Sequence, residues 1–302
     1  MTRLFTLSLG IMIATPPMAG AGPQFFDTPE AAVQELISAL DAEDRAAILR
    51  IFGPENEDVV STGDADEDRA LWGRFRSDLH AIHRLEPAGE GRMTLLAGRE
   101  MWPFPGDLVQ GDSGWSFDAE GAREEVLARR IGRNELSVIA IMQRIGDIQA
   151  RYRRTDWDGD GVMEFASAIL SSPGKHDGLY WSDVPGVDPS PFDESLARAN
   201  FTGFNDGGGD RMPEPHAGYY FRILQSQGPA AAGGAFSYMI GGNMVAGHAL
   251  VAYPATYGDS GIMSFLVGEA GIVYQADLGE DTLQRAATIN AFDPTQDWTP
   301  VE

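Results

Sequence analysis

The segment Asp156-Trp157-Asp158-Gly159-Asp160-Gly161-Val162-Met163-Glu164 has the residue types and spacing of a cation site. With Asp156 as loop position one, aspartates stand at one, three and five, glycine at six and an acid at nine. That is the front of a helix–loop–helix calcium loop. Hard oxygens at alternate positions converge on one hard cation, and Gly161 permits the sharp turn. Position twelve is Ser167, where such loops carry a bidentate glutamate. The carboxylates of this segment repel one another unless a cation is present. The competing reading is a solvated acidic turn whose aspartates cap a following helix over Glu164–Leu170. Asp156, Asp158, Asp160 and Glu164 are the candidate metal ligands, and calcium is the candidate cofactor.

Other side chains could bind rather than react. Arg129, Arg130 and Arg133 form the densest basic group, and guanidinium forks suit a carboxylate ligand or a partner's acidic surface. The alternative is salt bridging to Glu124, Glu125 and Glu135 that joins two domains. Trp102, Phe104 and Trp115 suit either a pocket wall or an ordinary core. Tyr180 and Trp181 follow Gly178 in a long loop, where exposure would make them a binding surface. Gly-Asp-Ser-Gly occurs twice, around Ser113 and around Ser260. It surrounds the nucleophile of trypsin-like proteases, but no histidine stands in the matching context, and these residues are turn formers. His80 and His83, spaced i, i+3 beside Asp78, lack a visible third zinc ligand. His176, His216 and His248 are isolated. No pairing of nucleophile, acid and base is legible, so no catalytic residue is assigned.

These residues must be positioned by a chain of 302 residues, 43% hydrophobic and 10% aromatic, enough for a real core. Asp and Glu number 45 against 22 Lys and Arg, and Lys175 is the sole lysine. A net charge of -23 repels nucleic acid and anionic lipid, because a binder must neutralise phosphates with clustered bases. With no cysteine, thiolate catalysis, thiolate metal sites and disulfides are excluded. Arg3, the apolar run Leu4–Ala14, Pro16-Pro17 and Ala19-Gly20-Ala21 follow the pattern of a secretory signal peptide over residues 1–21. No later run is long and apolar enough to span a bilayer, so no integral membrane segment is expected in the mature chain.

Thr28-Pro29-Glu30 reads as N-cap, first-turn proline and first-turn acid, with Val33, Leu36, Ile37 and Leu40 on one helical face. A second helix is expected over Glu43–Phe52. A third follows Asp64–Asp68, with Leu71, Phe75, Leu79 and Ile82 on one face. Strands are expected at Met93–Ala97, Asp107–Gln110 and Gly114–Phe117. A helix over 121–131 stops at Gly132, and Asn134 caps a new one carrying Val138, Met142, Ile145, Ile148 and Tyr152. A Gly/Pro/Asp-rich loop runs from Ser171 to Pro215. Strands are then expected at Tyr219–Leu224, Phe236–Ile240, Ala249–Tyr253, Ser264–Val267 and Ile272–Gln275. The fold class is α+β: helices on a curved antiparallel sheet, then a long helix packed on a second antiparallel sheet. The domains are 22–132 and 133–302.

The strings Trp102-Pro103-Phe104-Pro105, Arg129-Arg130-Ile131-Gly132-Arg133-Asn134-Glu135-Leu136, Asp177-Gly178-Leu179-Tyr180-Trp181, Gly218-Tyr219-Tyr220-Phe221, Ala252-Tyr253-Pro254 and Val273-Tyr274-Gln275-Ala276-Asp277-Leu278-Gly279 occur in this order. Together they resemble the domain-of-unknown-function family 2950 of exported bacterial proteins, across the whole mature chain. That resemblance implies a periplasmic or secreted location and brings no activity with it. Residues 25–131 are similar to nuclear-transport-factor-2-like domains, which implies a cone-shaped fold with a pocket. Residues 134–280 resemble the globular heads of type IV pilin-like proteins, through Asn134-Glu135, Gln149, Tyr152, the acidic loop, Gly218-Tyr219, Ser264-Phe265 and Gly271-Ile272-Val273. The membrane helix that polymerises true pilins has no counterpart in the sequence, so a filament subunit is not expected. The function expected is a non-catalytic envelope protein that binds or supports another exported protein. The alternative is a small-molecule binder or enzyme using the N-terminal pocket.

Overall fold

The computed structural model describes residues 22–182, 186, 189–192, 194–199 and 213–301. The signal-peptide segment and part of the loop expected over Ser171–Pro215 lie outside the described residues. The chain divides into two compact units between Val126 and Leu127.

The first unit opens with α1 (Pro29–Asp41), where Thr28 Oγ1 accepts from Ala31 N–H at 3.2 Å and Pro29 takes the first turn. Asp44 caps α2 (Arg45–Phe52), and Gly53 closes it at φ 91°. A short α3 (Glu57–Val60) precedes α4 (Ala65–Ala81), capped by Asp64. Five antiparallel strands follow: β1 (His83–Gly89), β2 (Arg92–Ala97), β3 (Trp102–Pro103), β4 (Leu108–Gly111) and β5 (Gly114–Phe117). Their order is β1-β2-β4-β5, with β3 also pairing β2. Val33, Leu36, Ile48, Ile51, Leu79, Leu95, Leu108 and Phe117 fill the core between helices and sheet. Two features depart from expectation. Ile82 lies beyond α4 and is 45% exposed, and β1 occupies a stretch with no strand pattern.

A single helix, α5 (Ala119–Tyr152), replaces the two expected around Gly132 and Asn134. An interior glycine costs about 1 kcal/mol. Burial of Val138, Met142, Ile145 and Tyr152 farther along the same helix outweighs it. In the second unit this face of α5 shares one core with an antiparallel sheet ordered β16-β15-β14-β13-β8. Before the sheet come a parallel pair, β6 (Ala168–Leu170) and β7 (Gly178–Tyr180), and the short α6 (Glu194–Arg198). The strands that follow are β8 (Tyr219–Leu224), β9 (Ser226–Gln227), β10 (Phe236–Ser237), β11 (Met239–Ile240), β12 (Asn243–Met244), β13 (Ala249–Pro254), β14 (Met263–Gly268) and β15 (Val273–Asp277). Then come α7 (Thr282–Ala287) and β16 (Thr299–Pro300). All six residues of β13 are buried, as befits a strand inside the sheet. The expected strand Phe236–Ile240 is split at Tyr238 into β10, which pairs β9, and β11, which pairs β12. The fold class is α+β.

Candidate functional site

The acidic loop begins where α5 ends. Trp157 Nε1 donates to the Tyr152 carbonyl at 3.0 Å, turning the chain back over the helix terminus. The Trp157 ring lies 4.8 Å from Trp181 and 5.3 Å from His176, and Tyr152 Oη donates to the His176 carbonyl at 2.6 Å. The loop thus stands on an aromatic base. Asp156 accepts from the N–H of Gly159 at 2.8 Å and of Gly161 at 2.9 Å. Both glycines adopt positive φ, 77° and 87°, which folds the loop back on its first carboxylate. Asp158 accepts from Asp160 N–H at 3.3 Å, and Asp160 from Val162 N–H at 2.7 Å. Oxygens of Asp156, Asp158 and Asp160 lie within 4.8 Å of one another.

The far side of the loop is held by the β11–β12 hairpin. Asn243 Nδ2 donates to Asp160, and Met244 N–H donates to Glu164 Oε2 at 2.9 Å. The Gly161 N–H and its neighbours hold the Asp156 carboxyl below the ordinary range. Partial burial pushes the Glu164 carboxyl up, and the three aspartates add to the rise against the Met244 N–H. The Glu164 charge is therefore incompletely compensated by its one backbone donor.

No helix follows the loop, contrary to expectation. Phe165 N–H bonds Met244 C=O at 2.8 Å, and the buried Gln149 amide brackets Ala166, donating to its carbonyl at 3.0 Å and accepting from its N–H at 2.9 Å. These bonds hold the backbone extended into β6. Ser167, at position twelve, gives its carbonyl to Gln225 Nε2 at 3.1 Å. The fit to a hard cation rests on the three converging aspartates, the donor class calcium takes; Glu164 does not join that cluster and accepts from Met244 N–H instead.

All three arginines lie on α5, Arg129 and Arg133 one turn apart. Arg130 pairs with Asp259 and is largely covered, whereas Arg133 is exposed. Asn134 and Glu135, expected at a helix start, lie inside α5 and grip the segment before β14. Asn134 Nδ2 donates to Ser260 C=O at 2.9 Å, and Glu135 Oε1 accepts from the N–H of Ile262 and Met263, each at 2.9 Å. Ser260 closes a turn, its Oγ accepting from Thr256 N–H at 3.0 Å. Gly218, at φ +72°, meets the same place: a Cβ there would stand 2.7 Å from Ser260 Cβ and 3.0 Å from Asn134 Nδ2. The second Gly-Asp-Ser-Gly is thus a docking turn for α5. The first lies at the β4–β5 hairpin.

Trp102 is 65% exposed, its Nε1 bonded to Glu100 at 2.8 Å, while Trp115 packs against the core of the first unit. Trp102 thus stands at the surface and Trp115 against the core. A cavity of about 260 Å³ in that unit is lined instead by Arg45, Asp68, Trp72 and Arg76. Trp181 is buried and Tyr180 packs on the second core, so neither forms the exposed surface that a long loop implied. His80 pairs with Asp41 and His83 with the Leu79 carbonyl, each at 2.7 Å, which separates the two candidate zinc ligands.

Sequence reasoning missed three groupings. Asp68 is buried and accepts from Ser61 Oγ at 2.6 Å, Thr62 N–H at 2.7 Å, Thr62 Oγ1 at 3.0 Å and Arg45 at 3.0 Å. Burial opposes its charge, yet the hydrogen bonds outweigh it and hold the carboxyl below the usual range. His248 is buried against the Phe165 ring with Nδ1 unpartnered, and burial followed by Arg153 lowers it to about 4. Ser195 Oγ lies 3.1 Å from His216 Nδ1 at the surface. Asp68 sits in a run of acids that reads as solvated, and the histidine contacts join residues far apart in sequence. The one local signal was Gly241-Gly242-Asn243, a hairpin turn that sequence cannot aim at the acidic loop.

The fold and the loop define an α+β protein with an acidic, glycine-shaped loop closing a long helix. The chain belongs to the family described as Protein of unknown function (DUF2950), whose model matches residues 23–301. Comparison with curated proteins and with solved structures returns no match.

Proposed function

We propose that this chain is a non-catalytic exported envelope protein, periplasmic or secreted, that binds or supports another exported protein, and that calcium at Asp156, Asp158, Asp160 and Glu164 steadies its second unit. One observation carries the non-catalytic reading: most of the chemically capable groups hold the fold, and the Ser195–His216 pair at the surface is the exception that the Ser195→Ala test addresses. Arg130, Asn134, Glu135 and Ser260 dock a helix, Asp68 ties helices, and His248 is buried against the Phe165 ring. The signal-peptide pattern of residues 1–21 supports export. A nuclear-transport-factor-2-like first unit and a pilin-head-like second unit agree with helices against one sheet and a long helix against another. Among the described residues no helix is long and apolar enough to cross a membrane.

Fractionation with mass spectrometry of the mature N-terminus tests export, with a start at Gly22 expected and an uncleaved cytoplasmic chain opposing it. Crosslinking in intact cells tests partnership, with a specific exported partner expected and none opposing it. Turnover of any ester, phosphate, glycoside or peptide by the purified protein, abolished by Ser195→Ala, would replace this reading with an enzymatic one.

A further inference from the structure

The sheet of the first unit has two edges, and the chain treats them differently. At β5, Trp115 exchanges both backbone hydrogen bonds with Phe26 at 2.8 Å, so that edge is covered. At the other, β1 is exposed along nearly its whole length. Leu95 C=O accepts from Phe104 N–H at 2.7 Å, so Leu95 turns its polar groups away from β1. Its partner across the ladder, Leu85, must then turn its own N–H and C=O away from β2. Gly98 N–H donates to Ile82 C=O at 3.0 Å, as the same alternation requires. His83, Leu85 and Pro87 therefore aim their backbone at the open edge. Among the described residues no backbone hydrogen bond reaches them there.

We propose that β1 pairs antiparallel with β1 of a second copy of this chain, about a two-fold axis at Leu85. That register places Leu85 opposite Leu85, His83 opposite Pro87, and Arg84 opposite Glu86 of the other copy. Arg84 and Glu86 are side by side on the face away from the core, 56% and 48% exposed, and pair with each other within one chain. In the dimer each would sit opposite the other copy's opposite charge. This is the non-hydrogen-bonded pair, with Cα atoms about 4.5 Å apart and side chains closest. The edge is thus self-complementary in charge, which selects a second copy over an unrelated strand. Each Leu85 N–H donates to the other Leu85 C=O, and each His83 N–H to the other Pro87 C=O. Pro87 brings no N–H, and the bulge between Pro87 and Gly89 ends the ladder. With β5 covered, the pairing closes at two copies rather than growing into a fibre. So short a contact makes a weak dimer, formed at high concentration.

Sedimentation of the full mature chain over a concentration series reaching the millimolar range tests this. Dimer is expected, and monomer throughout overturns the proposal. Arg84→Glu and Glu86→Arg alone should each weaken dimerisation about tenfold or more, and the two together should restore it. A dimer indifferent to these changes uses another surface and overturns the proposal. Both side chains are exposed, so thermal unfolding of each variant should match the parent. The chain has no cysteine, which permits a register test: Arg84→Cys mixed with Glu86→Cys should form a crosslinked heterodimer under oxidation. Crosslinking of Arg84→Cys alone at equal yield contradicts the register.

Discussion

The two units handle carboxylate charge in opposite ways. In the first, the buried Asp68 receives four hydrogen bonds, one from a guanidinium, and its charge is met from within the chain. In the second, Asp156, Asp158 and Asp160 converge, but their partners are backbone N–H groups and one asparagine. Neutral donors orient carboxylates without cancelling their repulsion. The first arrangement is complete by itself; the second leaves its repulsion unmet, which is the ground on which we propose a cation there.

The largest effect expected is in the complete arrangement. Asp68→Ala strands Ser61, Thr62 N–H and Arg45, and should cost about 4 kcal/mol in denaturant unfolding of the first unit. The depressed carboxyl gives stability above the ordinary Asp range that is lost as pH falls through the lower folded value. Acid loss in the first unit should therefore begin as pH falls into the ordinary Asp range and be complete below the lower folded value.

The second unit should fail earlier in acid, because of His248. Its folded value of about 4 lies below the ordinary 6.5, so between those pH values the unfolded chain binds a proton that the folded one refuses. Stability should fall by about 3 kcal/mol as pH drops from 6.5 to 4. His248→Leu should flatten that slope, as segment-resolved hydrogen exchange would read.

Calcium comes next. At about 100 times its dissociation constant it should add about 2.7 kcal/mol to the second unit. Asp158→Asn, which removes a carboxylate oxygen from the cluster, should reduce the gain. The smallest effect is Asp259→Ala, because Asp259 is the exposed partner of the pair with Arg130, which should be worth under about 1 kcal/mol while Asn134 and Glu135 keep the turn docked.

The same contrast explains what was legible in the sequence. Thr28-Pro29 located α1, and the apolar run Ala249–Tyr253 located β13, because local chemistry and burial agree there. The Asp156–Glu164 loop was legible because its carboxylates are contiguous in sequence. β1 was hidden because only Leu85 of His83-Arg84-Leu85-Glu86-Pro87 packs against the core, so no apolar alternation marks it. The break expected at Gly132 failed because the apolar stripe continuing through Val138 and Met142 outweighs one glycine. Asp68, His248 and Asn243 acquire their environments from residues that tertiary packing supplies, which spacing does not encode.

Hydrogen exchange of the mature protein during heating, with calcium and then with chelator, tests the contrast most directly. The transition of residues 127–302 should rise by several degrees with calcium and fall back with chelator, while that of 22–126 stays fixed. Equal shifts in both units, or none in either, would contradict the account.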